Sequence, residues 1–283
     1  VLASTDRSVT VEERVVRTEF LMVNDLRLRV RRSGAGSPVL LIMGLGGCIE
    51  TWTPLAESLT GLELILVDHP GMGLSSVPRA PIPMPGLADL YARLLGRLGY
   101  DRVHVVGYSF GGTVAQQLAV SHPTRVDRLA LLATGCGWGG VPASPLTLAA
   151  GALPARFSSP AFRAALAPVL YAGRAARDPS VLRDLRPRTR RPSMTGIAWQ
   201  LAAYSSWSSL PWLHRLRQPT LVLAGDEDPM APVANARLIA ARIPGARLHI
   251  VAGGGHLFPF DQAGEAVPVL HEFLSREHVA AAS

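Results

Sequence analysis

Val103-His104-Val105-Val106-Gly107-Tyr108-Ser109-Phe110-Gly111-Gly112 is the stretch on which the reading of this chain turns. Its first half is apolar and β-branched, as a buried strand should be. It ends in Gly-x-Ser-x-Gly, and a helix-like segment, Thr113 to Val120, follows at once. A strand, a sharp turn and a helix with a serine at the tip is the layout of a nucleophile elbow. The serine hydroxyl would project from the sheet edge. Gly107 and Gly111 would let strand and helix pass where larger side chains cannot. The first amides of the helix would face any negative charge forming beside Ser109.

Upstream, Thr18 to Val23 and Leu26 to Arg32 read as two strands around an Asn24-Asp25 turn. Pro38-Val39-Leu40-Leu41-Ile42-Met43 is a continuous apolar run, expected of a strand covered on both faces. It enters Gly44-Leu45-Gly46-Gly47. A helix is expected over Thr53 to Leu59, a strand over Leu62 to Val67, and a helix over Gly86 to Leu98. Downstream lie a strand, Val126 to Ala133, then Thr220 to Gly225, a helix from Val233 to Ile243, a strand from Arg247 to Val251, and a last helix over Glu265 to Arg276. Strands alternating with helices predict an α/β fold, a mostly parallel sheet with helices on both faces.

The rhythm breaks between Ala133 and Thr220, a stretch far longer than a connection of about 2–6 residues. It carries Trp138, Trp199, Trp207 and Trp212, with helix-like pieces at Ala161 to Tyr171, Pro179 to Leu185 and Met194 to Ser205. It reads as a helical cap inserted after the sixth strand, a lid shaping an apolar pocket. The expected organisation is a flexible segment at 1–14, a core at 15–135 and 214–279, and a cap at 136–213.

The 283 residues, 48% of them hydrophobic, suffice for one large core. No apolar run approaches the length of a membrane span. The opening residues lack a secretory n-region and h-region. Two cysteines, Cys48 and Cys136, make no disulfide framework. A cytoplasmic protein is expected. The net charge of +7 is carried by arginine alone, since the chain has no lysine. Its densest run, Arg183 to Arg191, lacks interleaved aromatics, which argues against nucleic acid as a partner. No clustered His/Cys spacing and no dinucleotide fingerprint occur, so neither metal nor organic cofactor is expected.

A serine hydroxyl needs a base within hydrogen-bond reach, and the base needs an orienting acid. After an elbow the chain order is serine, acid, histidine. His256, in Gly253-Gly254-Gly255-His256-Leu257 after the last strand, is the best-placed of eight histidines. Asp226, Glu227 and Asp228 follow a late strand and all remain open as the acid; Asp68, also past a strand, is better read as fixing the Pro70-Gly71 turn. The amides of Phe110 and Leu45 are the expected oxyanion donors, with Gly44, Gly46 and Gly47 allowing close approach. Gly44, Tyr108, Phe110, Trp138, Tyr171, Trp199, Tyr204 and Trp207 are candidates to line the pocket.

Together, the glycine loop at Gly44, Asp68 to Ser75, Gly107-Tyr108-Ser109-Phe110-Gly111, Gly225-Asp226-Glu227-Asp228-Pro229 and Gly255-His256 resemble the α/β-hydrolase superfamily over nearly the whole chain. Leu41 to Gly47, Asp68 to Arg79, Met84 to Ala88, Trp199 to His214, Gln218 to Asp226 and Leu248 to Phe258 are similar to the intracellular medium-chain-length poly(3-hydroxyalkanoate) depolymerases. That resemblance implies a cytoplasmic, granule-associated serine esterase releasing 3-hydroxy acids, with Ser109 as nucleophile, Asp228 as acid and His256 as base. Three positions depart from the wider pattern. Met43 stands where many members have histidine, and Tyr108 and Phe110 flank the serine where a small or apolar residue and tryptophan are expected. Small-ester hydrolysis, carbon–carbon bond cleavage and perhydrolysis are the alternatives on this fold.

Overall fold

The computed structural model describes residues 16–153, 155, 159–185 and 192–276. The expected flexible segment at 1–14 and positions 186–191 of the arginine run lie outside the described residues.

Among the described residues eight strands form one sheet: β1 (Val16–Val23), β2 (Leu26–Ser33), β3 (Ser37–Ile42), β4 (Leu62–Val67), β5 (Val103–Tyr108), β6 (Val126–Leu132), β7 (Thr220–Gly225) and β8 (Arg247–Val251), in the order β1-β2-β4-β3-β5-β6-β7-β8. The first hairpin turns at Asn24, which adopts φ +54, and β2 pairs antiparallel with both β1 and β4. All later pairings are parallel. The chain leaves β3 for β4 on one side, then returns past β3 to β5 on the other. The crevice beyond the carboxyl ends of β3 and β5 is therefore the switch point where open α/β sheets bind ligands.

The continuous apolar runs have two cores to fill. Along β5, Val103 and Val105 pack into one cluster, with Leu87, Leu90 and Leu94 of α2 (Met84–Arg97) and Val114 and Leu118 of α3 (Phe110–Ser121). Val106 and Tyr108 pack into the other, with Leu55 of α1 (Thr53–Ser58) and Phe273 near the carboxyl end of the chain.

Among the described residues, six α-helices lie between β6 and β7: α4 (Pro145–Ala152), α5 (Pro160–Ala165), α6 (Ala167–Leu170), α7 (Gly173–Arg177), α8 (Ser180–Leu185) and α9 (Met194–Ser205). The piece expected over Ala161 to Tyr171 is split, because Pro168 has no amide hydrogen to carry the helix through. α4 had no sequence signal: it is apolar on every side, so it shows no helical period, although the Ser144 hydroxyl accepts from the Thr147 amide at its start. Among the described residues three more α-helices follow β7: α10 (Val233–Arg242), α11 (Phe258–Asp261) and α12 (Ala263–Ser275). Among the described residues no helix is long and apolar enough to cross a membrane.

Candidate active site

Ser109 sits between β5 and α3 with φ +51 and ψ −120, a conformation that side chains rarely adopt. Its neighbours hold it there. The Ser109 amide donates to the Leu132 carbonyl of β6 at 2.9 Å, and the Ser109 carbonyl accepts from the Thr134 hydroxyl at 2.7 Å. Strand and helix pass so closely that a Cβ on Gly107 would stand 2.5 Å from the Gly111 oxygen, and one on Gly111 would collide with the Ile42 carbonyl.

The loop after β8 brings His256 to this turn. Its main chain is fixed by donation to the Tyr171 carbonyl at 2.7 Å. Its Nε2 lies 3.0 Å from Ser109 Oγ, and its Nδ1 lies 2.8 Å from Asp228 Oδ2. A carboxylate only accepts, so the proton belongs on Nδ1 and Nε2 is left to accept from the serine hydroxyl. Asp228 is shut away from solvent, and its second oxygen accepts from the amides of Met230 and Ala231, each at 2.9 Å. Of the three neighbouring acids, Asp228 is the one against the imidazole. Asp226 faces solvent, and Glu227 pairs with Arg177 at 2.9 Å. Asp68 stands apart: it accepts from Arg29 at 2.6 Å, from the Ile49 amide at 2.8 Å and from the Leu74 amide at 2.7 Å, tying three segments together.

A cavity of about 800 Å³ opens beside the serine, lined by Ser109 and His256 and mostly by apolar groups. Leu45 and Phe110 are both on its wall. Neither the Leu45 nor the Phe110 amide has an acceptor among the described residues. By contrast the Gly47 amide bonds to the Gly44 carbonyl at 3.1 Å, and the Gly46 amide to Gln200 Oε1 at 3.2 Å. Trp138 and Tyr204 also line the cavity, Trp138 at its rim with 75% of its surface exposed.

Five expected lining residues lie elsewhere. Tyr108 is buried beneath the site, with its ring 5.3 Å from the imidazole and its hydroxyl donating to the His256 carbonyl at 3.0 Å. Burial pushes its phenol well above the usual range. Gly44 packs against Tyr108 and the Ser109 Cβ. Tyr171 contributes its carbonyl to His256. Trp199 turns away to donate to the Pro78 carbonyl at 3.0 Å, and Trp207 is buried against α3, donating to Gln117 at 2.8 Å. Indole N–H groups seek partners when buried, and here those partners are outside the cavity.

Their place is taken by residues that, Trp138 apart, had no sequence signal. The loop from Gly135 to Ala143, together with Leu148 of α4, Leu201 of α9 and Met230, forms much of the wall. Asn235 of α10 shapes that loop, bonding both the amide and the carbonyl of Val141 at 2.8 Å. Among the described residues, Cys48, Glu50 and Asp68 bring metal-type donor atoms within 4.8 Å of one another. Arg29 already engages both carboxylates, so the cluster is an ion-pair network.

A hydroxyl bonded to an imidazole, itself oriented by a buried carboxylate, can attack an electrophilic carbon as its proton is taken. A model of the α/β hydrolase fold matches residues 37–263. A poly(3-hydroxyalkanoate) depolymerase from Ectopseudomonas oleovorans is 43% identical over 242 residues, 85% of each chain. The crystal structure of a hydrolase from Pseudomonas aeruginosa PA01 is 30% identical with a TM-score of 0.75, over 92% of this chain and 98% of that one. A thermophilic esterase from Thermogutta terrifontis is 27% identical with a TM-score of 0.75, over 93% and 98%. This chain, then, is a hydrolase that belongs to the α/β-hydrolase family and resembles the poly(3-hydroxyalkanoate) depolymerases.

Proposed function

We propose that the protein is a serine esterase that cleaves medium-chain-length poly(3-hydroxyalkanoate), or its oligomers, through an acyl-enzyme. The observation that carries this reading is the Ser109–His256–Asp228 relay opening onto an apolar cavity large enough for a branched acyl unit. Ser109 Oγ attacks the ester carbonyl carbon while His256 Nε2 takes its proton. Asp228 holds the imidazole and stabilises its cationic form. The Leu45 and Phe110 amides donate to the carbonyl oxygen as it becomes an oxyanion. Such a donor lowers the barrier by about 3 kcal/mol. The imidazolium returns its proton to the departing alkoxide, the hydroxyl end of the next unit. Water, deprotonated by His256, then releases the acid and restores Ser109.

In this reading residues 136–213 act as the cap over a core of 15–135 and 214–279. The enzyme works in the cytoplasm at the polymer granule surface. The resemblance to the depolymerase supports the polymer over a small ester. The test is a panel of poly(3-hydroxyoctanoate) films, 3-hydroxyacyl oligomers and p-nitrophenyl esters graded by length, with Ser109→Ala as control. Release of 3-hydroxy acids from the film is expected, and Ser109→Ala should retain at most about a thousandth of the turnover. Activity confined to soluble short esters would leave a small-molecule esterase, and an active Ser109→Ala would remove the serine mechanism.

A further inference from the structure

The glycine loop after β3 has three consecutive amides with different partners. Gly47 donates within the loop to Gly44, and Leu45, on the cavity wall, has no acceptor for its amide among the described residues. Between them, Gly46, at φ +76, donates to a side chain 154 positions away, Gln200 Oε1, at 3.2 Å. Leu45 and Gly46 are adjacent, so the bond at Gly46 sets the peptide plane next to the one that presents the Leu45 amide.

Gln200 is only 2% exposed, and its Nε2 has no hydrogen-bond partner among the described residues. A buried amide with its donor unmet is unfavourable, and an apolar side chain of similar size would avoid that penalty. The residue therefore costs stability while supplying one acceptor to the glycine loop. The helix that carries it is firmly seated. α9 meets the core backbone to backbone, for a Cβ on Gly196 would stand 2.5 Å from the Gly71 oxygen. One turn later Trp199 donates to the Pro78 carbonyl at 3.0 Å. Gly196, Trp199 and Gln200 fall at i, i+3 and i+4, on one face of the helix. The next residues, Leu201, Tyr204 and Ser205, reach the cavity wall.

The geometry points to Gln200 as a positioning residue for the reaction: a strut on α9 that fixes the glycine loop so that the Leu45 amide meets the oxyanion. This rests on the serine esterase reading above. Gln200 touches neither the substrate carbonyl nor the reacting hydroxyl; it acts through the Gly46 peptide. Its effect belongs to the tetrahedral state, where the oxyanion forms, and not to binding of the acyl chain.

The experiment compares the parent with Gln200→Leu and Gln200→Glu on p-nitrophenyl octanoate. Affinity for octylboronic acid, which forms a tetrahedral adduct on the serine, is measured alongside. Gln200→Leu should lower kcat about tenfold or more, weaken the boronate by a matching factor, leave KM nearly unchanged and keep or raise the melting temperature. Gln200→Glu keeps an acceptor for Gly46 and should recover most of the turnover. Parent-like kcat and boronate affinity in Gln200→Leu would overturn the inference. So would a loss of kcat matched by a loss of melting temperature and of substrate binding, which marks a packing role. Should Gln200→Leu fail to fold, Gln200→Met is read in its place with the same outcomes. An active Ser109→Ala would sink the esterase reading itself; an inactive Ser109→Ala beside a normal Gln200→Leu would sink this inference alone.

Discussion

The Tyr108 hydroxyl donates to the main-chain oxygen of His256 at 3.0 Å, and its ring lies 5.3 Å from the imidazole. The residue just before the serine thus holds up the histidine, through a contact between β5 and the loop after β8. Trp52 and Phe260 stand edge-on to the same tyrosine, so its position is fixed on two further sides.

Tyr108→Phe keeps the ring and removes only the hydrogen bond. The His256 carbonyl then loses a buried donor, at about 1–3 kcal/mol. Thermal unfolding should show that loss of stability, and steady-state kinetics a several-fold fall in kcat with little change in KM. Unaltered turnover would mean that the hydroxyl has no part in holding the imidazole.

Ser109 pays for its location in backbone strain, with φ +51 and ψ −120. Such a conformation costs a residue other than glycine about 1–3 kcal/mol. Ser109→Ala keeps the strain and loses the hydroxyl, while Ser109→Gly loses both. Both variants should be inactive, but the glycine variant should be the more stable by about 1 kcal/mol, roughly 2 °C in melting temperature. Calorimetry on the two decides it, and a glycine variant less stable than the alanine variant would mean that the elbow is unstrained.

His69 gives the fold a sensitivity to acid. It is buried beneath Phe110, with Nδ1 2.8 Å from the Tyr91 hydroxyl, and burial lowers its pKa from 6.5 to about 3. Below pH 6.5 the unfolded chain takes up a proton that the folded protein refuses. The stabilisation is complete above that pH and is lost as pH falls toward about 3, at about 1.4 kcal/mol per pH unit. Denaturant unfolding at pH 7 and 5.5 should show the parent losing about 1 kcal/mol more than His69→Gln. Parallel losses would mean that another group carries the acid response.

Much of the fold was legible because the strands are covered on both faces. Leu62 to Val67, apolar but for Glu63, and Thr220 to Gly225 read as buried strands, and their limits coincide with those in the structure. The serine turn was legible for a steric reason, since close passage of strand and helix leaves room only for glycine at 107 and 111. The acid was less so. Asp226, Glu227 and Asp228 are equal in composition, and the difference lies in which carboxylate finds the amides of Met230 and Ala231. Least legible was the cavity wall. Clustered tryptophans signal burial, but the direction of each indole depends on an acceptor far along the chain, the Pro78 carbonyl for Trp199 and Gln117 for Trp207. The wall itself is largely a loop, with no period to read.

The hydroxyl and the imidazole are 147 residues apart in the chain. A polypeptide emerging from the ribosome carries the former long before the latter, and a fragment ending ahead of β8 never acquires the pair. Closure of the pair therefore needs β8 and the loop beyond it docked on the sheet, and a chain truncated before them lacks the imidazole.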